Sequence, residues 1–479
     1  MYNALPPRLY GLRKTHKVDC KLRPVVSNIG SPGYEISKFV HKILSPYVLS
    51  FEFNMKDSFQ FVERIKSVLV DDDYLLISLD VVSLFTNVKQ DLITNIIKER
   101  WNVIKDFINL DQELLLDLVK FCFHSGYFLF QRNYYIQKEG CGIGSPASPV
   151  IAITAVDYVI SKALERLDFE IPVVAAYVDD LFLIIPRDKV DTVVNVFNSI
   201  NKDIQFTIEV EQDGKIPYLD VLVERTRSGE LRTSWYQKPY SSGRVLNFKS
   251  NHPLSQKLGV AQGLSHATMV AVSTDKVRHL LMNNNYPSSL LSKCEKITSN
   301  RISSNLRIDA GLRGWSFCKF PYIKGLSPRI GCLFRQTNCK LFLYNLCKIK
   351  DFYSHLKDPV DKWDRSCLVY RIPCTCGKSY KGQTKQKLRK RINQHINDCR
   401  PVNINKSNMT ALADHHFESG HDFQFDAAQT LDYEFHFLKR NISEMFFIKV
   451  FDCVNFRSDT QGLSSSYSDI ISVAKRLMQ

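Results

Sequence analysis

Residues 175–186, AAYVDDLFLIIP, set Asp179 and Asp180 side by side between two apolar runs. Successive side chains on a strand point to opposite faces, so the two carboxylates share an environment only where the chain turns. The expectation is a two-residue turn at the acids, with 173–178 running in and 181–185 running back. Adjacent carboxylates repel, and burying them unpaired is costly. A divalent cation removes both costs; the alternative is a solvated hairpin with an acidic tip. A third acid, Asp80, lies where the apolar, β-branched run DYLLISLDVVSLFTNV (73–88) breaks. Carboxylates converging from separate strands are what two-metal phosphoryl transfer requires. Mg²⁺ takes one or two carboxylates plus substrate phosphates, so three aspartates suffice for two ions.

A second group lies near the C-terminus. CLVYRIPCTCGKSYKGQTKQKLRKRINQH (367–395) places Tyr370 and Tyr380 on what read as adjacent strands, followed by a helix. Arg391 and His395 lie four apart on that helix and hence on one face. Glu444 follows in a later helix. Tyrosines to orient a water, an arginine to counter phosphate charge and one carboxylate for a metal make a sufficient single-metal phosphodiesterase. The alternative is that the tyrosines are half-buried strand residues. Cys374 and Cys376, with His415, His416 and His421 downstream, suggest a zinc site, although C-x-C is tighter than the usual ligand gap. His395 reads equally as ligand or as base.

The elements that must position these groups follow from the pattern. Residues 1–50 are loops and short strands rich in Arg, Lys, Pro and Gly; 89–125 have helical spacing. A hairpin, a Gly/Pro loop and a long helix occupy 126–167, then come the strand–acid–strand unit, a helix near 188–201 and strands to about 238. Acids at strand ends interleaved with helices describe an α+β sheet domain. Residues 241–315 turn helical and basic, 316–362 read as a small basic linking segment, and a compact module begins at 363. At 479 residues the chain exceeds one core and holds two or three domains. Its net charge of +15 favours a polyanionic partner. There is neither a long apolar run nor a signal pattern at the N-terminus, which argues against a membrane partner. Of 13 cysteines only Cys20, Cys122 and Cys141 precede residue 290, a shift consistent with a second, reduced, intracellular module.

The wording of these motifs resembles reverse transcriptases: YVDD (177–180), SLDVVSLFTNV (78–88), GIGSPASPV (142–150) and KLRPVVS (21–27). PRLYGLRKTHK, IPYLDVLV, YQKP and LNFKSNHPLSQK narrow the resemblance to Penelope-like retroelements, relatives of telomerase. The C-terminal module resembles the GIY-YIG endonuclease that many such elements carry, with Leu368 in place of the usual first Gly and Lys381 between Tyr380 and Gly382.

The resemblance implies a right-hand polymerase with fingers and palm over 1–240, a thumb over 241–315 and a nuclease over 363–479. Asp80, Asp179 and Asp180 would hold two Mg²⁺. Phe85 would be the steric gate against ribose, and Arg23, with Lys14 and Lys21, would meet the triphosphate. Gly144, Ser145 and Pro146 would floor the nucleotide pocket, beside Tyr177. Lys215 is a candidate proton donor to pyrophosphate, and Lys238, within YQKP, would grip the primer. In the nuclease, Tyr370, Tyr380, Arg391 and His395 would be catalytic and Glu444 would hold one Mg²⁺. Cys374, Cys376, His415 and His421 would be the zinc ligands. The implied partners are an RNA template, DNA primer and target DNA, and deoxynucleoside triphosphates, in the nucleus. An alternative follows from the start of the chain at PPRLYGLRKTHK, in mid-fingers: a truncated or domesticated nucleic-acid-binding remnant with impaired catalysis.

Overall fold

A computed structural model describes residues 4–13, 22–131, 133–270, 274–292, 294, 316–334, 336–345, 360–406 and 408–478. Lys14, Lys21 and residues 295–315 of the expected thumb lie outside the described residues. The chain divides into two compact units, Pro6–Leu356 and Lys357–Gln479 with Met1–Leu5. Both mix helices with sheet, an α+β architecture.

In the larger unit, β1 (Arg8–Arg13), β2 (Leu22–Ser27), β4 (Tyr127–Phe130) and β5 (Asn133–Ile136) form a sheet in the order β2-β1-β4-β5. The central sheet runs β6-β7-β3-β8, from β3 (Tyr74–Val81), β6 (Val173–Tyr177), β7 (Asp180–Pro186) and β8 (Phe206–Val210), and is antiparallel throughout. Both of its faces are covered. Leu75, Ile77, Leu79, Leu181, Leu183 and Ile185 pack with the helices Tyr34–Leu49, Gln90–Glu99, Ser148–Arg166 and Val190–Ile200. Leu76, Ala175, Phe182 and Ile184 pack the other way, against Phe61 of the helix Ser58–Ile65 and against Tyr218 and Val223. Burial on both sides explains why β7 reads as a continuous apolar run instead of alternating. Asp80 and Asp180 continue the second face to its end.

β9 (Lys215–Tyr218), β10 (Val221–Arg225) and β11 (Leu231–Trp235) form an antiparallel sheet. The expected linking segment holds β12 (Ser316–Pro321), a helix Leu326–Leu333 and β13 (Cys339–Tyr344). The two strands pair in parallel.

The smaller unit has an antiparallel sheet β15-β14-β16, from β14 (Leu368–Pro373), β15 (Ser379–Thr384) and β16 (Gln429–Tyr433). The helices Leu388–Asp398, Ala411–Ser419, Phe437–Val450 and Ser468–Met478 accompany it among the described residues. Among the described residues no helix is long and apolar enough to cross a membrane.

Candidate functional site

The acids of the larger unit come together at one end of the central sheet. Tyr177 pairs with Asp180, so the turn between β6 and β7 consists of Val178 and Asp179. It falls one residue earlier than expected, and Asp180 opens β7 rather than sitting in the turn. The displaced turn places Val178 at a φ of 57°, a left-handed conformation that a β-branched residue adopts only under strain. The Val81 N–H donates to the Asp179 carbonyl at 3.0 Å and ties the turn to the end of β3. Asp80 lies directly opposite Asp180 in the β3–β7 ladder.

Like charges facing each other across a ladder are destabilising. Burial, then Asp179, then Asp80 push the Asp180 carboxyl up to about 6, and the Lys238 ammonium opposes them. Carboxylate oxygens are the donors that hard divalent ions take, and an ion bound at this hairpin would relieve that repulsion. Behind the hairpin, the Tyr218 hydroxyl lies 3.2 Å from the Ala175 carbonyl and 3.1 Å from that of Asp180. It bridges β6 and β7 just inside the turn. Burial and the two neighbouring aspartates push its pKa up, so it stays a hydrogen-bond donor. Sequence reasoning gave Tyr218 no role, because a tyrosine in a strand pattern looks the same whether its hydroxyl meets a hairpin or water.

The Gly/Pro loop is stitched to two neighbours. Cys141 N–H donates to the carbonyl of Phe85, which sits half-buried in the short helix Leu84–Asn87. Val26 of β2 donates to the Ile143 carbonyl at 2.7 Å. Gly144 has a φ of +117°, and a Cβ there would stand 2.2 Å from the Val26 carbonyl oxygen. Ser145 is buried beside it with no hydrogen bond from its hydroxyl to the described residues, Pro146 is half-buried, and Arg23 on β2 is exposed. Gly144→Ala should therefore destabilise the protein by more than about 1 kcal/mol, read as a lower denaturant midpoint. An unchanged midpoint would mean that loop and strand are not in contact.

Two lysines separate. Lys215 is half exposed and lies 3.1 Å from Glu224, its ladder partner, in an ion pair. Lys238 acts on Asp180 and lines a cleft of about 370 Å³ with Gln237, Pro239, Lys276 and His279. Tyr177, 38% exposed, stands at the hairpin.

In the smaller unit Tyr370 lies on β14 directly opposite Gly382 of β15, and a Cβ at 382 would stand 2.5 Å from the Tyr370 hydroxyl. That hydroxyl accepts from Arg391 Nε at 3.2 Å and lies 2.7 Å from His395 Nε2. Burial and the adjacent guanidinium push His395 down to about 3, so the imidazole is neutral. The Tyr370 hydroxyl and His395 Nε2 share one hydrogen bond, and the ring's Nδ1 has no partner among the described residues. Tyr380 packs edge-on to His395 at 5.1 Å. Burial pushes Glu444 up to about 7; Gln383 and Arg391 favour its ionised form, and Asp459 opposes it. The structure thus assembles Tyr370, Tyr380, Arg391, His395 and Glu444. Lys381, a departure from the motif, is fully buried, and its ammonium donates to Ser379 Oγ at 2.6 Å and the Asp452 carbonyl at 2.8 Å.

Cys374, Cys376, His415 and His421 place one ligand atom each within 4.8 Å of all the others. His415 Nε2 lies 3.5 Å from each sulfur and 3.2 Å from His421 Nδ1. A tetrahedron with Zn–S near 2.3 Å and Zn–N near 2.05 Å has S–N edges of about 3.6 Å and N–N edges of about 3.3 Å, so the donors fit. The short C-x-C gap is accommodated by a turn with Gly377 at a φ of 86° and Cys374 N–H donating to Lys378. His416 is not a member; its Nδ1 meets the His421 carbonyl. Elemental analysis should find one zinc per chain, and close to none in Cys374→Ser, with a lower melting temperature. An equal zinc content in both would refute the site.

No family model and no curated protein matches the chain. Among solved structures, telomerase from Candida albicans in complex with a fragment of telomeric RNA is similar over 63% of this chain and 55% of that one, with 11% identity and a TM-score of 0.42. Apo telomerase from Candida tropicalis gives 62% and 59%, 11% identity and 0.40. The RNA-dependent RNA polymerase of a human picorbirnavirus gives 63% and 59%, 11% identity and 0.39. The chain spans somewhat over half the length of these proteins.

Proposed function

We propose that the larger unit is an RNA-directed DNA polymerase and the smaller a DNA-nicking endonuclease of the GIY-YIG kind. Together they would act in target-primed reverse transcription by a Penelope-like retroelement, in the nucleus. The observation that carries the polymerase reading is Asp80 set opposite Asp180, with Asp179 on the turn between β6 and β7. Bound there by the three carboxylates, Mg²⁺ would supply activation of a primer 3′-hydroxyl and charge neutralisation of the departing pyrophosphate. The chain's own residues do the rest. Tyr218 holds the hairpin from behind, and Lys238 brings positive charge to the edge of the acids. Gly144 allows the loop to reach β2, whose Arg23 would meet the triphosphate. Phe85 is fixed by the same loop, as a ring that excludes a 2′-hydroxyl must be.

In the nuclease, Glu444 would hold the metal and Arg391 would face the scissile phosphate. Tyr370, hydrogen-bonded to neutral His395, would take a proton from water and pass its own to an unprotonated Nε2. Primer extension on an RNA template with Mg²⁺, comparing wild type with Asp179→Ala, tests the reading. Extension by wild type alone supports it. If both fail to extend while RNA binding persists, the chain is a nucleic-acid-binding remnant.

A further inference from the structure

From Asp309 to Asp351 the chain has no acidic residue in between, yet it has eight Lys or Arg. β12 and β13 lie in the middle of this stretch. Their register sets Phe317 beside Lys340, Lys319 beside Phe342 and Pro321 beside Tyr344. Ladder neighbours point to the same side of a pleated pair, and alternate residues along each strand join them. Phe317, Lys319, Lys340, Phe342 and Tyr344 therefore share one face. Phe317 is 55% exposed, Phe342 58% and Tyr344 38%, and both lysines are exposed. The alternate residues of β13, Cys339, Leu341 and Leu343, are half-buried. The strand is thus amphipathic in an inverted sense, with its aromatic rings turned to water.

Three open rings interleaved with two ammonium groups, in an acid-free stretch, match one kind of partner. We propose that this face binds single-stranded RNA. The rings stack on unpaired bases and the lysines meet the phosphates, the combination that grips single strands with little regard to sequence. A duplex keeps its bases stacked on one another and offers the rings nothing to replace. RNA rather than DNA rests on the proposed function, in which RNA is the strand awaiting copying. The pair would act as an outlying holdfast for the template, separate from the acids of the central sheet.

The test is binding of a 15-nucleotide RNA to the full chain by fluorescence anisotropy, in EDTA and without nucleotides, so that no polymerisation is involved. Phe317→Ala/Phe342→Ala should weaken binding at least about tenfold, within the worth of a single base–ring stack. Phe317→Tyr/Phe342→Tyr should bind as wild type, which separates lost stacking from lost folding. Lys319→Gln/Lys340→Gln should lower the slope of log Kd against log salt by about 1.4, two phosphate contacts at about 0.7 each. Unchanged affinity and slope in these variants, an equal loss for duplex RNA, or tighter binding of DNA of the same sequence would overturn the proposal. A wild type that fails to extend a primer, with these losses in the variants, would sink the polymerase reading and leave the single-strand face standing.

Discussion

Asp180→Asn should abolish primer extension while making the metal-free protein more stable. The two effects have one cause. Asp180 faces Asp80 across the β3–β7 ladder and adjoins Asp179. With Mg²⁺ bound these charges would be its ligands, and metal-assisted charge stabilisation is worth several kcal/mol. At about 1.4 kcal/mol per tenfold, removing one carboxylate should slow single-nucleotide incorporation at least about 10³-fold. Without metal the same charges repel. A carboxyl whose folded pKa is raised to about 6 contributes stability below the unfolded value near 4, and that stability is lost as pH rises through about 6. Wild type in EDTA should therefore lose stability across that window more steeply than Asp180→Asn, and Mg²⁺ should restore wild type far more than the variant. Lost activity with reduced stability in EDTA would point to a structural aspartate instead.

Glu444→Gln should reduce plasmid nicking by about 10³-fold or more, because it removes the carboxylate proposed as the metal's protein ligand. The acid limb of wild-type nicking should lie near neutrality, since burial holds Glu444 up to about 7 and a protonated carboxyl does not bind metal. Asp459 contributes to that rise. Asp459→Asn should therefore ionise Glu444 more readily and raise nicking at pH 6 relative to pH 8. A pH profile unmoved by Asp459→Asn, with nicking retained in Glu444→Gln, would remove Glu444 from the site.

What was legible in the sequence is the part that local pattern controls. The apolar run ending at Asp80 and the paired runs around Asp179 and Asp180 announce strands with acids at their ends, and period alone suffices for that. The register that sets Asp80 opposite Asp180 depends on pairing between segments about a hundred residues apart, which no local pattern encodes. The turn came out one residue early because the ladder continued through Asp180, and Val178 took the left-handed conformation that propensity would assign to Gly or Asn. The four donors of the Cys/His cluster were legible by type, while the close C-x-C gap counted against them until Gly377 supplied the turn. His421, which the resemblance had already named in preference to His416, reaches His415 because the helix Ala411–Ser419 ends at Gly420 with a φ of 70°. The β12–β13 pair within the expected linking segment was not legible, because an outward-facing aromatic strand carries no signal of a buried face.

The central claim is that Asp80, Asp179 and Asp180 share bound metal. Fe²⁺ substituted for Mg²⁺, with ascorbate and peroxide, generates radicals that cut the backbone next to the ion. Cuts should appear both near residue 80 and at residues 178–181, and both should vanish together in Asp180→Asn. Cleavage at one of these segments without the other, or cleavage unchanged by the substitution, would contradict the account.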